Sequence, residues 1–220
     1  MRRTTTAAHV EVLSAFARIA QAVGHPARLR ILSLLAQAPK TVSPLAEACG
    51  ESVANTSAHL AVLTDAGVLR RERDGRHIRY SLAHEQVSSL VSALRLVGEP
   101  VAPATARRHF AAFEGADVAA LTPHDLSERR RAGMVLVDVR PEDEFAAGHL
   151  PGARSIPLPR IREAGVPRAA STPLLVYCRG RYCLGAVEAV SLLSRTHQDV
   201  RRLQFGVPEW KAAGYALEVQ

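Results

Sequence analysis

The reading turns on the stretch Leu174-Leu175-Val176-Tyr177-Cys178-Arg179-Gly180-Arg181-Tyr182-Cys183-Leu184. An apolar run of strand length, 173–177, stops at a cysteine. A short loop with one glycine follows, and helical spacing resumes over 184–194. A buried strand that feeds a helix through a tight loop belongs to a parallel sheet covered by helices. The flanking sequence keeps the same rhythm. Upstream lie a helix over 123–131, a β-rich run over 134–139, a turn at Pro141, a helix over 142–147, and Gly148 and Pro151-Gly152. Downstream, a third β run over 200–205 precedes Gly206 and a short helix around Trp210. Strands alternating with helices predict a three-layer α/β domain with a parallel sheet over 121–220.

The chemistry of this half centres on Cys178. Backbone N–H groups of a strand-to-helix loop can point at the sulfur, and the helix N-terminus adds positive potential. Arg179 and Arg181 add cations. All three favour thiolate over thiol, so the Cys178 pKa is expected to be depressed. Such a thiolate is a nucleophile that can hold a persulfide, and the same cradle attracts an anionic sulfur donor. Cys183, five positions on, has two readings. It resolves a persulfide or sulfenate into a disulfide, or it is a packed residue at the helix start. Disulfide closure requires Cα atoms within about 7 Å.

This half resembles the rhodanese family of sulfurtransferases over residues 121–219. The resemblance runs through Val137-Asp138-Val139-Arg140-Pro141-Glu142-Asp143-Glu144-Phe145, Gly148-His149-Leu150-Pro151-Gly152-Ala153, Val176-Tyr177-Cys178-Arg179 and Gly206-Val207-Pro208-Glu209-Trp210-Lys211-Ala212-Ala213-Gly214-Tyr215. It implies Cys178 as the catalytic cysteine; Cys183, outside the family's usual loop pattern, is a candidate catalytic partner by its spacing alone. It also implies Arg179, Gly180, Arg181 and Tyr182 as the substrate-binding loop. Asp138, Arg140, Glu144 and His149 fall on family-typical positions around the site; Asp138 and Arg140 are candidate substrate-binding residues, with scaffold ion pairing the competing reading. The loop departs from the common Ser-Gly-Asn-Arg, reading Gly-Arg-Tyr-Cys, which puts thiosulfate as donor in doubt. A phosphatase or arsenate reductase of the Cys-x5-Arg type needs an arginine six positions after the cysteine to grip an oxyanion, and that position is Leu184.

The first half has a different rhythm. Helical periodicity over 12–36 breaks at His25-Pro26, giving a second helix over 27–36. A short helix over 41–49 follows, with Ser43 a candidate N-cap before Pro44 and Gly50 a stop. A helix over 52–66 ends at Gly67. Runs over 68–73 and 77–82 are joined at Asp74-Gly75, a strong hairpin signal. A last helix covers 87–97. Helix, turn, helix, hairpin is the order of a mainly α winged helix-turn-helix. The second helix of the pair offers Ser52, Asn55, Thr56, Ser57 and His59 as candidate contacts to base edges. The hairpin offers Arg70, Arg71, Arg76, His77 and Arg79 for phosphates or the minor groove.

Residues 12–97 resemble the ArsR family of small dimeric repressors, through Ala22-Val23-Gly24-His25-Pro26-Ala27-Arg28-Leu29-Arg30-Ile31-Leu32, Asn55-Thr56-Ser57-Ala58-His59-Leu60-Ala61-Val62-Leu63 and Asp74-Gly75-Arg76-His77-Ile78-Arg79-Tyr80. The resemblance implies a homodimer, paired through its first and last helices, on an imperfect palindrome of double-stranded DNA. Metal-sensing members carry a Cys-x-Cys on the first helix of the motif or Asp/His pairs on the last. Here Cys49 stands alone, and His84 and Glu85 lack matching partners, so no metal and no cofactor are expected.

Composition fits two soluble globular domains. Of 220 residues, 47 % are hydrophobic and 22 % charged, which excludes a disordered or collagen-like chain. No apolar run approaches the ~20 residues of a membrane span. The opening Met1-Arg2-Arg3-Thr4-Thr5-Thr6 is a poor secretory signal, and three cysteines make no disulfide framework. A cytoplasmic protein is expected. Residues 1–98 carry 12 basic and 7 acidic side chains, net +5, against 16 and 14, net +2, over 99–220. The excess lies in the half expected to meet a polyanion.

The expected organisation is a DNA-binding and dimerisation domain over 1–97, a linker over 98–120 in which 104–113 is a candidate helix, and a rhodanese-like domain over 121–220. The fusion suggests a repressor whose operator affinity answers reactive sulfur or another thiol-reactive signal through Cys178. Two alternatives remain open: a working sulfurtransferase with an accessory DNA-binding domain, and a metalloid-responsive repressor using Cys178 and Cys183.

Overall fold

The computed structural model describes residues 2–111, 113–115, 117–119, 121–129, 133–164 and 172–220. The chain divides into two units, Met1–Val91 and Ser92–Gln220.

The first unit contains α1 (Arg2–Val23), α2 (Pro26–Leu35), β1 (Lys40–Thr41), α3 (Val42–Cys49), α4 (Val53–Asp65), β2 (Leu69–Asp74), β3 (His77–Leu82) and the start of α5 (Gln86–Val101). α1 begins well before the predicted helix, because residues 2–11 carry no apolar repeat for periodicity to detect. The break to α2 is built by His25, whose Nδ1 accepts from the Ala27 N–H at 3.2 Å, with Pro26 at the first helical position. α3 is entered from Thr41, not from Ser43 as predicted, and no side chain caps it. Gly50 closes α3 in the left-handed region at φ 67°, and the Glu51 N–H donates to Ala46 O. Ser52 caps α4, its Oγ accepting from the Asn55 N–H at 3.1 Å. The hairpin turns at Gly75 (φ 60°) with Asp74 opposite His77. Two residues of β1, absent from the sequence reading, pair with β3, giving the order β1-β3-β2. Ile31, Leu32, Leu45, Leu60 and Leu63 form the core, joined by Val91 of α5.

The second unit continues α5 and adds α6 (Ala104–Ala111), α7 (Pro123–Arg129), β4 (Val135–Asp138), α8 (Glu142–Ala147), β5 (Arg154–Ser155), α9 (Leu158–Ala164), β6 (Leu174–Tyr177), α10 (Leu184–Leu193), β7 (Val200–Arg202) and α11 (Val207–Ala212). Its four strands lie parallel in the order β5-β4-β6-β7. Side chains alternate between two cores, as the pleat requires. Val137, Val139, Leu174, Val176 and Cys178 face α9 and α10, while Leu136, Leu175 and Tyr177 share a core with Leu126, Phe205 and Trp210. This α/β unit has the expected three layers. The sequence reading missed β5 and α9, which carry too few residues for a periodic signal. Of the helix predicted over 123–131, positions 130 and 131 lie outside the described residues.

The stretch predicted to be a linker, 98–120, carries the end of α5 and all of α6. It also bonds to the sheet: the Arg202 N–H donates to Asp117 O and the Ala119 N–H to Arg202 O. No described helix is long and apolar enough to cross a membrane.

Candidate functional site

The pleat puts Cys178, next after β6, on the α10 face of the sheet, where it is buried. The loop 178–183 folds back through a turn closed by the Cys183 N–H on Gly180 O at 3.1 Å. This brings the Cα atoms of Cys178 and Cys183 to 6.1 Å, and their sulfurs are joined in a disulfide, a separation usual for such a bond. Cys183 is also the N-cap residue of α10. The helix starts where the loop's second sulfur ends.

Two glycines that the sequence reading did not single out as site residues pack on this loop, and the first of them is required by it. A Cβ on Gly206 would collide with Cys178 O and lie 2.9 Å from the Gly180 amide nitrogen, so the β7–α11 connection can rest on the loop backbone only without a side chain. A Cβ on Gly185 would lie in ordinary van der Waals contact, 3.5 Å from both Sγ atoms, so the first turn of α10 packs directly on the sulfur pair.

The loop's cations are answered from within the protein. Arg179 donates from Nε and Nη2 to both oxygens of Glu144, at 2.9 and 2.6 Å, and Glu144 is wholly buried. Arg181 donates to Glu114 at 2.6 Å, with Glu99 at 3.9 Å. Gly180 packs on the carboxylate of Glu209, which accepts the Gly206 N–H at 2.9 Å. Tyr182 lies against Phe110 and Phe113, with centroids 5.2 and 5.3 Å away. Burial, and then Glu99, push its hydroxyl up to about 12.

Asp138 and Arg140 require a correction. Neither is exposed at all, and Arg140 donates to both carboxylate oxygens of Asp138 and, at 2.8 Å, to Gly148 O. Substrate cannot touch them; they pin the β4–α8 turn to the strand end. Burial opposes the Arg140 charge, but the Asp138 hydrogen bonds outweigh it and raise its pKa. Tyr177, likewise buried, is pushed well above the ordinary tyrosine value, first by burial and then by Asp138. Its hydroxyl accepts the Leu150 N–H at 3.1 Å. His149 stacks on Phe145 at 3.7 Å and faces Glu218 at 3.6 Å.

In the first unit, Thr56 is the residue the structure removes from the DNA-facing set. It is fully buried on the core side of α4, and its hydroxyl has no hydrogen-bond partner among the described residues. Helical spacing puts it on the same side as Leu60 and Leu63, which are in the core. Ser52, Asn55 and Ser57 are exposed. The Ser52 hydroxyl is engaged in capping, and Asn55 Nδ2 donates to Glu51 at 3.2 Å. His59 is half-buried, its ring 4.7 Å from that of His25. On the hairpin, Arg70 bends back to donate to Ala83 O at 3.1 Å, and Arg79 pairs with Asp74 at 2.6 Å. Arg71, Arg76 and His77 are exposed, and the two arginines have no carboxylate partner among the described residues. Cys49, half-buried against the core, has its thiol pushed up by burial.

Together these features define a winged helix-turn-helix module joined to a rhodanese-like unit with a paired-cysteine loop. A helix-turn-helix domain model matches residues 23–72 and a rhodanese-like domain model matches residues 122–213. HTH-type transcriptional regulator Rv0324 of Mycobacterium tuberculosis is 35 % identical over 215 residues, spanning 94 % of this chain and 92 % of the relative. HTH-type transcriptional regulator YgaV of Escherichia coli is 37 % identical over 82 residues, 37 % of this chain and 83 % of the relative. The solution structure of a homodimeric winged helix-turn-helix DNA-binding domain from Mycobacterium bovis is 32 % identical, covers 40 % of this chain and 82 % of that one, and superposes with a TM-score of 0.39. The chain belongs to the HTH-type transcriptional regulators, and it carries a rhodanese-like domain.

Proposed function

We propose that this regulator is a repressor whose operator affinity is set by the oxidation state of Cys178 and Cys183. The observation that carries the reading is the pairing of two sulfurs at the ends of one tight loop, at the strand-to-helix junction where this fold presents reactive groups. The chemistry runs in two steps. The Cys178 thiolate attacks the sulfane sulfur of a persulfide or polysulfide, forming Cys178–S–SH and releasing the donor's thiolate. The Cys183 thiolate then attacks Cys178 Sγ, forming the disulfide and expelling hydrosulfide. Two cysteines are oxidised by two electrons, and the sulfane sulfur is reduced.

The internal pairing of Arg179 and Arg181 favours this reading over thiosulfate turnover. A dianionic donor would have to compete with Glu144 and Glu114 for the loop's guanidiniums. On the DNA side, the reading uses Asn55, Ser57 and the exposed start of α4 for base edges, and Arg71, Arg76 and His77 for phosphates. It also takes the chain to act in the cytoplasm as a homodimer on an imperfect palindrome. The exposed Leu13 and Phe16 of α1, and Leu94 and Val97 of α5, support dimerisation, since such apolar side chains favour burial against a second copy.

Mobility shifts on operator DNA, with and without polysulfide, on wild type and Cys178→Ser, test the proposal. Wild-type affinity should change with polysulfide and the variant's should not. Equal affinity in all four conditions overturns it. Thiosulfate:cyanide turnover above a Cys178→Ala control, without any change in affinity, would favour a sulfurtransferase instead.

A further inference from the structure

We infer that residues 95–114 form a latch that responds to whether the Cys178–Cys183 loop is closed. The inference rests on the reading of the two cysteines as a redox pair, and it names the element that answers them.

The residues between the cysteines divide by what they hold. Arg179 is bound to Glu144 of α8. Arg181 and Tyr182 are bound to the latch: Arg181 to Glu114, with Glu99 near it, and the Tyr182 ring to Phe110 and Phe113. Arg95 reaches Glu209, the carboxylate under Gly180, at 3.4 Å. Arg202, itself buried, joins the two backbones by donating to Arg181 O at 3.4 Å and to Phe113 O at 2.6 Å.

The latch has little else to hold it. α6 buries none of its side chains fully. Its attachment is therefore concentrated on the loop and on Arg202, which places it among the segments that open most readily. Two of the residues that hold it, Arg181 and Tyr182, stand inside the ring that the disulfide closes. With the disulfide formed, the loop's ends are fixed and both side chains are presented in one arrangement. Reduction by a phosphine or dithiol delivers two electrons and two protons, yields two thiols, and returns conformational freedom to the four residues between them. The latch then loses the ordered contacts from Arg181 and Tyr182 and is left with those from Arg202 to Phe113 O and from Arg95 to Glu209. It begins in α5, the helix that starts at Gln86 in the first unit, so chain continuity carries the change toward the DNA-binding half.

Hydrogen exchange by mass spectrometry on the full-length protein, oxidised with polysulfide and then reduced with a phosphine, tests the inference. Amides of 104–111 should exchange about ten-fold faster in the reduced protein. Phe110→Ala with Phe113→Ala should bring the oxidised protein to the same fast exchange, while its intact mass still reports the disulfide. Glu114→Gln, a milder change, should give an intermediate rate. If the disulfide forms and the exchange of 104–111 is equal in both states, the latch is wrong and the redox reading survives. If polysulfide forms no disulfide, the redox reading fails and the latch falls with it.

Discussion

The first unit sends its arginines outward, and the second turns several of its own inward. On the β2–β3 hairpin, Arg71 and Arg76 are exposed with no carboxylate opposite them among the described residues. In the rhodanese-like unit, Arg140 meets Asp138, Arg179 meets Glu144, Arg181 meets Glu114 and Arg202 meets Asp117, and Arg140 and Arg202 are almost wholly buried. The same side chain serves two ends. An unopposed guanidinium on a protruding ribbon is available to phosphate, whereas a buried one with a fixed carboxylate organises backbone. A net charge of +5 in the first 98 residues against +2 in the remainder registers this difference only faintly, because charge counts do not distinguish a paired cation from a free one.

The comparison breaks most readily at Asp138. Asp138→Asn leaves a buried guanidinium without its counter-charge and should destabilise the second unit by about 3–5 kcal/mol. Urea unfolding followed by Trp210, the chain's one tryptophan and buried in that unit, should show the midpoint fall. A change below about 1 kcal/mol would mean the pair is incidental.

Arg71→Ala with Arg76→Ala should leave the unfolding curve unchanged. It should lower operator affinity about ten-fold or more and reduce the slope of log affinity against log salt by about 2. An unchanged slope would show that these cations do not meet phosphate.

Thr56→Val sharpens the comparison inside the first unit. If Thr56 read DNA, the change would weaken the complex. Because its hydroxyl is buried and without a hydrogen-bond partner among the described residues, stability should hold or rise by up to about 1 kcal/mol, with operator affinity unaltered in an anisotropy titration.

The smallest effect is spectroscopic. An acid whose folded pKa lies above its free value of about 10 binds its proton more tightly folded than unfolded. The Tyr182 contribution is thus fully present below pH 10 and lost as pH rises through about 12. Tyrosinate absorbance of wild type minus Tyr182→Phe should appear near pH 12. A difference centred near pH 10 would contradict the packing of Tyr182.

What was legible in the sequence follows the range of the interaction responsible. Gly50, Asp74-Gly75 and the 173–177 run act over a few residues, and the helix stop, hairpin and buried strand they predict are all present, whereas the cap expected at Ser43 is not and Ser52, not singled out as a cap, is one. Cys178 and Cys183 could be singled out because both lie in one short loop. Thr56 was expected to face DNA because its side chain is small and polar, but its spacing with Leu60 and Leu63 puts it in the core, where it is buried. Asp138 and Arg140, two residues apart on the sequence, admitted both substrate binding and scaffold ion pairing, and their complete burial favours the ion pair. The attachment of 98–120 to the loop was hidden for a different reason. It depends on Arg202, Arg181 and Tyr182, each some 65 or more positions from its partner in Glu114, Phe110, Phe113 or Asp117, and no local pattern encodes such a pairing. Stretches without an apolar repeat read as linker by default.

The central claim is that closing one six-residue loop changes how the protein holds DNA. The most direct measurement follows both events in a single sample: operator-bound protein titrated with polysulfide, with anisotropy reporting the complex and intact mass reporting the loss of two hydrogens at Cys178 and Cys183. The account predicts that the shift in bound fraction rises in proportion to the disulfide formed and reverses when a phosphine restores the thiols. Full conversion to the disulfide with an unmoved anisotropy would contradict it.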